Sequence, residues 1–282
     1  MTESDGRKRA KLGLALGGGA MVGVAHIGVL EVLEEAGIRP DYIAGTSAGA
    51  FVGAAYAAGI SPADMRRRAR TLKWKLLRRR IFPTMALASP RPMMGYLRRL
   101  LGVHRFEDLK IPLAVVTTDL VTSEMVVFGR ADWRPTKLPS DVVVTTGDLI
   151  EAICASSAIP VIFEPVRLGG RLLVDGFLTN NVPAGLARMM GADRVIAVDL
   201  MKVRSRTSEP RHIVEYALAA LDVYRYWSVK NRSIWADVVL RPNVVELKKD
   251  EIIDSDRLID AGRAACEQQL ENIKAMLSLS AT

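Results

Sequence analysis

The sequence is poor in the side chains that build metal centres and disulfide frameworks. Its 282 residues include two cysteines and three histidines. Cys154 and Cys266 stand far apart in apolar, helix-like surroundings, which gives no pairing pattern and fits a reducing compartment. His26, His104 and His212 are the whole imidazole supply, and no His/Cys/carboxylate cluster accompanies them, so no metal or cofactor is expected. A long aliphatic run is missing as well. Residues 12–30 and 42–63 carry no Asp, Glu, Lys or Arg, and their length alone would suit a membrane span. Both are dominated by Gly and Ala, so they read as segments packed closely against a sheet. The basic start "GRKRAKLGLALGGGA" imitates a secretory leader, but its apolar run holds a glycine turn and passes into an amphipathic pattern. The expectation is a cytoplasmic protein, peripheral on a membrane, with neither a cleaved leader nor a spanning helix.

What is present is alternation. "LGLAL" (12–16), "YIAG", "IPLAVVTTDL" (111–120), "EMVVF", "RLLVDG", "RVIAVDL" and "DVVLRP" read as strands. Between them lie helical stretches: "VAHIGVLEVLEEAG", with Gly37 as its C-cap, "AGAFVGAAYAAG", "DLIEAICASS" and "VPAGLARMMGA". A long helix over about 210–233 and a final one from Ser255 to Leu277 follow. This order predicts a three-layer α/β/α fold with a mostly parallel central sheet. Residues 1–11 read as a basic tail and 12–282 as a single domain. The apolar residues near the C-terminus, Tyr216, Tyr224, Tyr226 and Trp227, read as core, with a dimer interface or an acyl-chain tunnel as alternatives.

Three features carry chemistry. In "GTSAG", Gly45 and Gly49 leave room for a sharp strand-to-helix turn that presents the Ser47 hydroxyl at the end of the sheet. The helix that follows points its N-terminus at the same spot, which favours negative charge developing there. The competing reading makes Ser47 a helix N-cap. In "LALGGGAMVGVAHIGVL" (14–30), a glycine turn aims backbone N–H groups at one point, suited to a phosphate or an oxyanion. Gly17, Gly19 and Gly23 also give G-x-G-x-x-x-G, near the dinucleotide fingerprint, but the next strand ends in "GTSAG" and not in a ribose-binding acid. In "LLVDGFLTNNVP" (172–183), Asp175 ends a strand and reaches the carboxyl edge of the sheet, where open α/β proteins place their sites. Asp-Gly turns without such a role are common.

These stretches, with "TTDL" and "ICASSAIPVIFEPV" between them, resemble the patatin-like phospholipases in identity and order, over about residue 12 to at least 200. The likeness is greatest to bacterial members and to the catalytic domain of neuropathy target esterase. The resemblance implies a serine acyl hydrolase acting on lipid acyl esters by a Ser–Asp dyad. Ser47 is then the nucleophile and Asp175 the proton acceptor. The turn at Gly17, Gly18, Gly19 and Ala20 becomes the oxyanion hole, supported by Gly23, His26 and Gly176. Two departures stand out: Val22 occupies the position where the family's motif usually carries Arg or Lys, and Phe177 follows Asp-Gly in place of Gly or Ala. A catalytically weak membrane-binding or regulatory protein on the same fold is the alternative. His212 completes the chain order of a Ser–Asp–His triad but lies in a helix-start context, whereas His26 reads as a hydrogen-bonder beneath the glycine turn.

"MRRRARTLKWKLLRRR" (65–80) holds nine Lys or Arg and no acid, more than the whole chain's net charge of +8. With Leu72, Trp74, Leu76 and Leu77 interleaved, it predicts a basic helix for an anionic membrane surface through Arg66, Arg67, Arg68, Lys73, Trp74, Lys75, Arg78, Arg79 and Arg80. The basic helical stretch over 65–105 is expected to flank the site. No nucleic-acid motif accompanies the charge.

Overall fold

Leu12–Leu16 forms strand β1 and is buried at every residue, as a strand covered on both faces must be. The computed structural model describes residues 9–71, 79–80, 86–133, 135, 138–200, 209–231, 235–244 and 254–278. After β1 a 3₁₀ turn (Ala20–Val24) leads into α1 (Ala25–Glu35); β2 (Tyr42–Thr46), α2 (Ala48–Ala57) and α3 (Pro62–Thr71) follow. A two-residue ladder, β3 (Arg79–Arg80) on β4 (Ala88–Ser89), precedes α4 (Arg91–Leu101). Next come β5 (Leu113–Asp119), β6 (Met125–Phe128), β7 (Val142–Thr145), α5 (Leu149–Ser156), β8 (Val166–Leu168) and β9 (Arg171–Asp175). The chain continues through α6 (Ala184–Met189), β10 (Arg194–Val198), α7 (Ile213–Asn231), β11 (Val238–Leu240), α8 (Ser255–Glu267) and α9 (Leu270–Ser278).

Five strands run parallel in the order β11-β10-β1-β2-β5, and β6 and β7 extend the sheet beyond an antiparallel step at β5. Side chains alternate across it. Leu12, Leu14, Leu16, Ile43, Leu113, Val115, Ile196 and Val198 point into one core, shared with α1, α2, α4, α5 and α8. Their neighbours Ala15, Ala44, Ala114, Val116, Val195 and Ala197 point into the other, against Leu186 and Ala187 of α6. The central strands therefore show large residues to the deep helical layer and mostly small ones to the thin layer. The mostly parallel, doubly covered sheet is the expected fold class.

Charges fasten the deep layer. Arg66 of α3 reaches Glu31 of α1 at 2.8 Å and Asp256 and Asp260 of α8 at 2.9 Å each. Arg263 of α8 returns to Glu35 at 2.7 Å. The same layer permits α1 and α8 to cross closely at Gly28 and Gly262, where a Cβ would lie within 2 Å of a backbone oxygen of the opposing helix.

Several expectations are corrected. The basic segment is not one helix over 65–80: α3 ends at Thr71, and Arg79 and Arg80 pair as a strand. Lys73, Trp74, Lys75 and Arg78 lie outside the described residues. Arg66 is largely covered and its charge joins three helices. Arg67 pairs with Asp64, and Arg70 with Asp256 at 2.7 Å. The helix expected over 255–277 is broken at Gln268–Gln269 into α8 and α9. Val142–Thr145, unassigned from its sequence, is an outer strand buried fully only at Val142. Among the described residues no helix is long and apolar enough to cross a membrane.

Candidate active site

Strand register brings the two principal residues together. Val115 and Val116 of β5 pair β6 on one edge and β2 on the other, and Thr46 stands opposite Val116. One residue further, Thr117 pairs β6 and also Asp175 of β9. So β2 and the antiparallel β9 share one edge of β5 and meet end to end. The residue that follows Thr46 is Ser47, and it faces the end of β9.

The turn itself is tight. Ser47 has φ 53 and ψ −121, a conformation that disfavours any side chain. It is held because α2 approaches β2 at Gly45, and the end of β1 at Gly49, too closely for anything but glycine. A Cβ on Gly49 would lie 2.0 Å from the Leu16 carbonyl oxygen, and one on Gly45 would lie 2.6 Å from Ala50 Cα. The Ser47 N–H donates to Ser156 Oγ at 2.8 Å, and that hydroxyl donates onward to the Val116 carbonyl at 2.6 Å. Ser47 makes no side-chain cap to α2; its Oγ donates to Asp175 Oδ2 at 2.7 Å. The N-cap reading is thereby set aside.

Asp175 is almost wholly buried. Its second oxygen, Oδ1, accepts from the Phe177 N–H at 3.0 Å, and its own N–H donates to the Ala158 carbonyl at 3.0 Å. Burial raises its pKa from 3.8 to about 7, against the opposing pull of the Ser47 hydroxyl, the Phe177 N–H and the charge of Arg225. Phe177 packs inside at 5% exposure, so the bulk that departs from the family's pattern is buried.

The glycine turn after β1 lies against this pair. A Cβ on Gly18 would lie 3.4 Å from Ser47 Cβ, and one on Gly23 would lie 2.3 Å from the Ala48 side chain. Not all four turn residues are free to donate, which narrows the expected set. Gly17 N–H is bonded to the Val198 carbonyl at 3.0 Å and Gly18 N–H to the Asn181 carbonyl at 3.1 Å. Among the described residues the N–H groups of Gly19 and Ala20 donate to no backbone partner, and Ala20 holds φ 48 without being glycine. His26, fully buried, bonds the Gly17 carbonyl through Nε2 at 2.7 Å. Burial lowers its pKa to about 4, so the ring is neutral at pH 7 and its Nε2–H is the donor. Val22 is half-buried against the deep core.

His212 is not brought in: it is exposed and paired with Glu215 at 3.6 Å. Three residues with no role assigned from sequence complete the arrangement. Ser156 anchors the Ser47 N–H. The Asn180 carbonyl accepts from Thr46 Oγ1 at 2.8 Å, so the loop after Asp175 is tied to both turns. The Asn181 side chain is buried at 3% exposure beside Gly18, and neither its Oδ1 nor its Nδ2 has a hydrogen-bond partner. Paired asparagines after an Asp-Gly turn were the available signal, but their spacing alone does not distinguish a loop from a site.

The fold and this edge together define a three-layer α/β protein with a serine hydroxyl held on a buried carboxyl. A family model of patatin-like phospholipase matches residues 14–188. Patatin-like phospholipase domain-containing protein 6 of Mus musculus is 32% identical over 273 residues, covering 94% of this chain and 18% of that protein. Patatin-like phospholipase domain-containing protein 7 of Rattus norvegicus is 34% identical over 196 residues, 67% of this chain and 13% of its own length. An uncharacterised NTE family protein of Mycobacterium tuberculosis is 33% identical over 217 residues, 75% of this chain and 56% of its own. The chain thus spans well under two thirds of each of these relatives. It belongs to the patatin-like phospholipase family, a family of lipid hydrolases.

Proposed function

We propose that this protein is a serine acyl hydrolase of the phospholipase A, lysophospholipase or carboxylesterase type, acting on lipid acyl esters. The observation that carries the reading is the 2.7 Å bond from Ser47 Oγ to buried Asp175, made by a hydroxyl that does not cap its own helix. Ser47 Oγ attacks the ester carbonyl carbon as its proton passes to Asp175 Oδ2. The carbonyl oxygen becomes an oxyanion, received by the N–H groups of Gly19 and Ala20 and favoured by the N-terminus of α2. Collapse breaks the ester C–O bond, and the leaving oxygen takes the proton from Asp175. Water then attacks the acyl-enzyme, gives a proton to Asp175 and releases the fatty acid with Ser47 restored.

A base whose pKa is about 7 suits this cycle, because it accepts and returns a proton near neutrality. The unpartnered Asn181 amide supplies a side-chain donor beside the same turn, since buried polar groups without a partner are rare. It bonds the substrate's ester or head group. An anionic membrane surface is drawn by the net positive charge, with the basic segment acting as a field and not as a contact helix.

Free fatty acid released from phospholipid and lysophospholipid is the test. Wild type is expected to release acid and deacylated lipid in equal amounts, and the Ser47→Ala protein none. Release by Ser47→Ala, or no release by wild type from any acyl ester, would overturn the proposal.

A further inference from the structure

Helix α7 (Ile213–Asn231) has an inverted surface. Its exposed positions are Ile213, Tyr216, Ala220, Val223, Tyr224 and Trp227, which recur at helical spacing and form one face. Among the described side chains that face holds no charge. Ile213 is 78% exposed, Tyr216 65%, Val223 59% and Trp227 49%. The charged residues sit off it: Glu215 and Asp222 are half-buried, Glu215 accepting from the Arg211 N–H at 2.9 Å and Asp222 meeting Arg225 at 3.4 Å. A soluble helix normally places its residues the other way round. Of the four side chains expected in the core, Tyr216, Tyr224 and Trp227 are exposed and Tyr226 is half-buried.

The helix is coupled to the catalytic loop from two positions. The Tyr224 hydroxyl donates to the Leu178 carbonyl, close behind Asp175, and the charge of Arg225 acts on Asp175 itself. The apolar face and the active-site edge therefore lie close together. We infer that this face of α7 docks on an anionic lipid surface, placing the Ser47 edge beside it. The inference rests on the acyl-hydrolase reading for its purpose, though not for its geometry.

Lipid is favoured over a second copy of the chain by charge. A net charge of +8 repels another copy and attracts an anionic bilayer. Tyrosine and tryptophan on an otherwise aliphatic strip suit the boundary between head groups and acyl chains. The family's substrates supply the lipid.

The test uses the full chain carrying Ser47→Ala, so that no hydrolysis alters the vesicles. Sedimentation with phosphatidylcholine vesicles containing phosphatidylserine is compared for this parent, Val223→Glu and Trp227→Glu. Each added substitution is expected to reduce partitioning by about tenfold or more. Turnover of a water-soluble short-chain ester by the same substitutions in the Ser47 background stays unchanged, as does the particle mass. Brominated acyl chains provide a second readout: Trp227→Phe keeps vesicle binding and loses the quenched part of the tryptophan emission. Undiminished partitioning of both glutamate variants would overturn the inference. So would a fall in particle mass with vesicle binding intact, which would make the face a self-association surface. If partitioning falls but no variant, and not the wild type, turns over any ester, the docking stands and the hydrolase reading fails.

Discussion

The turns after β1 and β2 begin alike, as glycine-rich passages from a buried strand to a helix, and they end with different chemistry. They are interlocked: Gly49 of the second has room only for hydrogen against Leu16 and Gly17 of the first, and Gly23 of the first against Ala48 of the second. Yet the second turn projects one side chain, whose hydroxyl is fixed on Asp175 at 2.7 Å, while the first offers only backbone N–H groups. Both carry a non-glycine residue at positive φ, Ala20 at 48 and Ser47 at 53. On the proposed reading, one turn holds the group that reacts and the other holds groups that receive charge. Stored conformational strain on both sides of the same small gap is consistent with a preorganised site.

The comparison breaks most completely at the second turn. Ser47→Ala leaves the donors of the first turn in place and is expected to lower kcat by roughly 10⁴-fold or more, measured as fatty-acid release under saturating lipid. Asp175→Asn removes the proposed proton acceptor while keeping the shape, and a loss of roughly 10³ to 10⁴-fold is expected. This variant has a second signature. The native pKa of about 7 exceeds the ordinary 3.8, so folded protein binds the proton more tightly than unfolded chain. The contribution of Asp175 to stability is therefore complete below pH 3.8 and is lost as pH rises through about 7. Thermal unfolding should find Asp175→Asn more stable than wild type at pH 8, with the gap narrowing toward pH 4. In the wild type, kcat/KM should climb with pH and level off above about 7.

Smaller effects come from the first turn. Gly18→Ala puts a methyl group 2.6 Å from Asn181 Oδ1 and 3.4 Å from Ser47 Cβ. A shift of both turns should reduce kcat by roughly 10 to 10²-fold with a modest fall in Tm. Asn181→Leu is the mildest. Because its amide makes no hydrogen bond in the free protein, the variant should keep or raise Tm in a thermal melt and lose about tenfold in kcat/KM for want of one substrate bond. A matched loss of stability would instead make Asn181 a structural residue.

Much of the fold was legible because local pattern and burial agree. "LGLAL" and the "VIAV" of 195–198 are unbroken apolar runs, and both lie in central parallel strands. "GTSAG" was readable as an elbow because glycine two residues to either side is what the backbone approach demands. The partnership of Ser47 with Asp175 was different. It depends on β9 running antiparallel along the edge of β5 that β2 vacates at Thr46, and no local periodicity encodes an edge or a direction. Resemblance to a family supplied that pair where residue pattern alone left it open. The donors of the first turn were blurred for a similar reason: Gly17 and Gly18 look like Gly19 until the carbonyls of Val198 and Asn181, distant in sequence, occupy their N–H groups. Helix α7 misled because an apolar strip at helical spacing reads the same whether it faces a core or lies exposed. The pairing of Arg66 and Arg70 was not legible in the basic stretch because their partners Asp256 and Asp260 arrive from near the other end of the chain.

The claim that Ser47 is an activated nucleophile poised on Asp175 is tested most directly by intact-mass labelling with a fluorophosphonate probe. Wild type, Ser47→Ala and Asp175→Asn are compared in the presence of anionic vesicles. The account predicts one adduct on wild type, none on Ser47→Ala and strongly slowed labelling of Asp175→Asn. An unlabelled wild type, or an adduct that persists on Ser47→Ala, would contradict it.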